Sequence, residues 1–165
     1  VLLDAMQRNA SKDDAGVSAL NHELEKDHDG SLLDDLMGYV SGKSRQPERT
    51  TNGAGILKHV LGNKQTGVID ILGKMTGLDK SSSGDLLIKM APIVMGALGK
   101  QKRSQNLDQG GILDVLTKSV EPQRKDNALG GLLNAVLDQD GDGDVKDDLM
   151  KMGMKALGGF FRRKR

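Results

Sequence analysis

Cysteine and tryptophan are absent from this sequence, and the aromatic complement is two Phe and one Tyr. Without cysteine there are no disulfides, no thiolate chemistry and no thiolate-ligated zinc or iron–sulfur site. With so few rings, stacking of bases on an aromatic platform is excluded, and nucleic acid is not the expected partner. Long apolar runs are missing as well. The most apolar stretch, residues 86–98, is interrupted by Lys89 and Pro92. It falls short of the roughly 20 residues a bilayer span needs, so no transmembrane segment is expected. Nor does the chain carry a glycine-rich phosphate loop followed by Lys-Ser/Thr, or a Gly-x-Ser-x-Gly elbow. His22, His28 and His59 have no metal-ligand spacing among themselves. The sequence shows no catalytic constellation, and the expectation leans away from an enzyme.

Glycine, in contrast, is frequent at 22 residues, interleaved with Leu, Ile, Val and Met. That mixture belongs to helix ends and close helix contacts, not to a flexible linker. The chain opens at Val1 and not at Met, so residues are expected to precede it. No signal peptide is visible, and a cytoplasmic location is the expectation.

The formal charge of +1 conceals blocks of opposite sign. Residues 1–40 carry three basic and nine acidic groups, and residues 41–125 carry 14 and seven. Residues 126–148 carry one and seven, and 149–165 six and none. Blocks of this kind are expected to neutralise one another in the fold.

Apolar periodicity predicts an all-α bundle of about eight short helices. Residues 1–10 read as the tail of a helix whose start is expected upstream. Ser11 with Asp14 predicts the start of a second, reaching to about Lys26 with Val17, Leu20 and Leu24 on one face. Ser31 with Asp34 predicts a third over 32–40. Residues 41–52 lack periodicity, carry Pro47 and read as a mobile surface loop. Helices follow over 55–61 and 65–76, closed by Gly62 and Gly77. A long central helix is expected over 81–102, capped by Ser81 and interrupted by Pro92. Another short helix spans 109–118 and completes a bundle over 1–118. Residues 119–127, with Pro122, read as a linker. A helix–loop–helix over 128–161 and a basic tail, 162–165, end the chain.

The loop of that last unit carries the chemistry. Over residues 138–149 the sequence is Asp-Gln-Asp-Gly-Asp-Gly-Asp-Val-Lys-Asp-Asp-Leu. Carboxylates at every second position around a glycine repel one another unless a hard cation sits among them, and calcium suits such oxygen ligands. Set against a twelve-residue calcium loop, Asp138, Asp140 and Asp142 fall at ligand positions one, three and five. Gly143 takes the sharp-turn position, Asp144 offers its carbonyl at seven, and apolar Val145 stands at eight. The closing Glu is replaced by Leu149, which leaves Asp148, or Asp147, to close a shortened loop. Loss of a bidentate ligand places the expected dissociation constant near ~10⁻⁴–10⁻³ M. A metal-free alternative explains part of the pattern: Asp144 as a helix N-cap with Asp147 three residues later. Residues 25–36 align on this loop without gaps, as a degenerate second ion loop or as the same helix-start grammar. Met150, Met152 and Met154 follow the loop and read as core.

Two phrases, Gly-Ala-Gly-Ile-Leu-Lys-His-Val-Leu-Gly (53–62) and Met-Ala-Pro-Ile-Val-Met-Gly-Ala-Leu-Gly (90–99), carry a family resemblance. Together with segments 27–36 and 138–149, they resemble a bacterial family of unknown function related to the YidB-like proteins. The resemblance implies an all-helical bacterial domain and brings no catalytic residue with it.

The expectation is thus a structural or interaction protein with one EF-hand-like calcium loop and an unidentified protein partner or self-association. A cation- or carboxylate-dependent hydrolase or lyase is one alternative. The other is a binder of anionic polymer or lipid, marked by Lys100, Lys102, Arg103, Arg124 and Lys125.

Overall fold

The computed structural model describes residues 1–125 and Val136, with residues 122–125 as backbone alone. The described residues form an all-α fold. Its helices are α1 (Leu2–Ala10), α2 (Asp14–Lys26), α3 (Ser31–Asp34), α4 (Leu36–Val40), α5 (Glu48–Thr51), α6 (Gly53–Leu61), α7 (Gln65–Thr76), α8 (Lys80–Gln105) and α9 (Gln109–Lys125). A single 3₁₀ turn, Gly62–Lys64, joins α6 to α7.

α8 is central, as its broad apolar surface predicts, and packs against α1, α2, α3, α6, α7 and α9. The core falls into two clusters that share α1 and α8. Leu2 and Ala5 of α1 join Leu57, Leu61, Val68, Ile71, Leu87 and Ala91 in the first, which also takes in Val136. Met6 and Ala10 join Val17, Leu24, Met95, Leu98, Ile112 and Leu116 in the second. Pro92, itself buried, stands in α8 where the helix passes from one cluster to the other. It supplies no N–H to the carbonyl of Ile88 one turn earlier. Gly53 at the start of α6 lies directly on that carbonyl, where any β-carbon would collide with it.

Helix ends differ from the sequence expectation in identity more than in place. α2 is capped by Asp13, whose carboxylate accepts from the Gly16 N–H at 2.7 Å, and not by Ser11. α8 is capped by Asp79, which accepts from the Ser82 N–H at 3.0 Å and the Ser82 hydroxyl at 2.7 Å, and not by Ser81. A carboxylate carries full charge toward the helix dipole, which favours it over a neighbouring hydroxyl. The helix expected over 32–40 is broken at Asp35 (φ −117°, ψ 30°). There the carboxylate accepts from the Ser44 hydroxyl at 2.8 Å and the Arg45 N–H at 3.3 Å. The same bonds tie down the connection read as a mobile loop, which ends in the single turn of α5. α9 runs on to Lys125, so residues 119–125 are helix and not linker. Buried Val120 and the Lys118–Asp114 pair at 2.6 Å hold its last turns, and Pro122 is accommodated close to the helix end.

Candidate functional site

The metal ligands expected from sequence, Asp138, Asp140, Asp142, Asp144 and Asp148, lie outside the described residues, as do the helix–loop–helix and the basic tail. Their counterpart at 25–36 is described, and its acidic side chains diverge. Glu25 accepts from the Lys102 ammonium at 2.8 Å, which holds its carboxyl below the usual range. Asp29 accepts from the Ser31 N–H at 2.9 Å and pairs with Arg103 at 3.0 Å. The bonds to Ser31 are the main reason its carboxyl titrates low. Asp35 serves the helix break, and Asp34 reaches toward Lys100 at 3.9 Å. Among the described residues no three His, Asp or Glu side chains gather in a metal-binding arrangement. This segment is a helix start in the structure.

These pairs also locate the basic groups of α8. Lys100, Lys102 and Arg103 each face a carboxylate of the α2–α3 corner. The acidic and basic blocks of the sequence meet here and offset one another.

Next to this corner lies a cleft of about 370 Å³. Its floor is apolar, built by Met6 and Ala10 of α1, Leu20 of α2, Ile56 and Val60 of α6, and Met95 of α8. The Asn9 side chain donates to the Val60 carbonyl at 2.6 Å and fastens α1 to α6 along one side. Glu23 and Asp27 of α2 and its end form an acidic wall, with His28 next to them. Arg49 of α5 and His59 of α6 bring basic groups to the same cleft, with Asn52 and Gly55 beside them. The Asn52 side-chain oxygen is used in capping α6, accepting from the Gly55 N–H at 2.9 Å.

His28 is the unusual member. It is 2 % exposed, and its Nδ1 has no hydrogen-bond partner. Burial lowers its pKa from the ordinary value, against the pull of the Glu23, Asp27 and Asp29 carboxylates. Its position follows from α8. The His28 carbonyl rests on Gly99 so closely that a β-carbon there would overlap it. Gly96, one turn earlier, faces Leu32 and Leu33 of α3. His22 and His59 are exposed, and His28 alone of the three histidines is buried. The signal was the Gly96-x-x-Gly99 spacing, which opens one side of α8 to a neighbouring backbone.

The family model for bacterial proteins of unknown function (DUF937) matches residues 1–101. The chain belongs to that family. The DUF937 segment runs from α1 into α8 and contains every residue named around the cleft. No curated protein and no solved structure matches the chain. Among the described residues no helix is long and apolar enough to cross a membrane.

Proposed function

We propose that this DUF937 protein is a non-enzymatic structural or interaction protein whose acidic loop takes one calcium ion. Asp138, Asp140 and Asp142 supply side-chain oxygens, Asp144 its carbonyl, and Asp148 closes the loop. The alternation of carboxylates around Gly141 and Gly143 supports this, since helix capping explains Asp144, Asp147 and Asp148 but leaves the first three without a purpose.

The observation that carries the functional reading is Val136. It is 5 % exposed and packed into the first core cluster, two residues before Asp138 in the chain. Any ion held by the loop is therefore linked to the stability of the bundle, and calcium acts as a fastener for the C-terminal unit. Linkage sets the size of the effect: at about ten times the dissociation constant, binding adds about 1.4 kcal/mol.

Calorimetric titration of the metal-stripped protein with calcium tests the proposal. Heat release with a dissociation constant near ~10⁻⁴–10⁻³ M, a matching rise in Tm, and loss of both in Asp140→Ala are expected. No heat and no thermal shift at millimolar calcium would sink it.

A further inference from the structure

The cleft between α1, α2, α5 and α6 has a composition that a packing defect does not need. Glu23 and Asp27 line it on one wall, and no described residue forms a hydrogen bond or ion pair with either carboxylate. Arg49 lines it from another element, and its guanidinium is likewise unpaired among the described residues. Opposite charges thus border one space without closing on each other, although exposed pairs elsewhere in this fold do close, as Lys80 does on Asp70 at 2.9 Å. Between the charged groups lies an apolar floor from Met6, Leu20, Ile56 and Met95. His28, nine-tenths and more buried, adds an Nδ1 without a partner in a cleft it helps to line.

We infer that this cleft is a binding site for a small zwitterion with an apolar body, of the class of an apolar amino acid or a dipeptide. Its ammonium group sits between the Glu23 and Asp27 carboxylates. Its carboxylate meets Arg49, which offers two parallel donors. The apolar body covers Ile56 and Met95. A volume of about 370 Å³ lies at the small end of ligand sites, which suits such a molecule.

The test uses the full chain and four probes: leucine, leucyl-leucine, N-acetyl-leucyl-leucine without the ammonium, and leucyl-leucine amide without the carboxylate. Calorimetry and NMR shifts of the Met95 methyl and Ile56 are read for each. Saturable binding of leucine or leucyl-leucine is expected, weakened about tenfold or more by removing either charged end. Glu23→Gln weakens the zwitterions but leaves the acetylated peptide unchanged. Arg49→Gln, at an exposed position where folding is not at stake, weakens the zwitterions and leaves the amide unchanged. Equal binding of the blocked and unblocked peptides would overturn the proposal. So would the lack of saturation by leucine and leucyl-leucine below about 10 mM.

Discussion

Gly53 in α6 lies against the carbonyl of Ile88 in α8, the one carbonyl that Pro92 leaves without its helical donor. The next carbonyl, that of Lys89, accepts from the Tyr39 hydroxyl at 3.1 Å. The proline turn of α8 thereby serves as a docking point for α6 on one side and α4 on the other. Gly53→Ala is expected to push α6 away and to lower stability by about 1–3 kcal/mol in urea unfolding, as overpacking does. An unchanged midpoint would show that the approach is looser than described.

Ser83 makes the opposite prediction. Its hydroxyl is fully buried beside Gly73, without a hydrogen-bond partner. Ser83→Ala removes an unsatisfied polar group and leaves a small void, and is expected to hold or raise stability by up to about 1 kcal/mol. A clear loss in the same urea assay would mean that the hydroxyl has a partner after all.

His28 sets a pH dependence of definite sign. Its folded pKa lies below the ordinary 6.5 because burial disfavours the imidazolium. As pH falls below about 6.5 the unfolded chain binds the proton first, so stability is full above that pH and declines down to the folded pKa. Glu23, Asp27 and Asp29 moderate the decline from α2 and its end, with Arg103 of α8 already engaged on Asp29. Urea midpoints between about pH 7.5 and 5.5 should fall in the parent and stay flat in His28→Phe. The loss from Asp29 comes lower, below its ordinary 3.8, since its folded pKa is depressed and its contribution is present above that value. The two are separable on one titration.

Val136→Ala deletes two methyl groups from the first core cluster, with an expected cost of about 1–3 kcal/mol. The variant is also expected to narrow the Tm gain from calcium, because it loosens the link between loop and bundle. A thermal shift with calcium that is identical in both proteins would separate the ion site from the core.

What the sequence made legible was decided by local chemistry. α7 is found over Gln65–Thr76 as expected, because its apolar period is clear and Gly77 ends it at φ 74°. The central place of α8 followed from its broad apolar surface. Caps were harder: Ser11 stands near Asp13, and Ser81 near Asp79, and charge decided between good capping residues of similar spacing. The break at Asp35 was hidden because its partners, Ser44 and Arg45, lie beyond the helix. The cleft was not legible at all. Its parts come from α1, α2, α5, α6 and α8, and His28 is buried only through the approach of α8 at Gly99. The proposed ion loop is the reverse case, spelled in one short stretch and resting on that spelling.

α9 lies beyond the residues matched by the family, yet Ile112 and Leu116 complete the second core cluster and α9 packs along α1. The boundary of recognisable kinship and the boundary of cooperative folding therefore do not coincide. A fragment ending at residue 101 would lack Ile112 and Leu116 and leave the second core cluster incomplete, and is expected to sample a looser, sticky ensemble. In this protein the unit that evolution marks is smaller than the unit that folds.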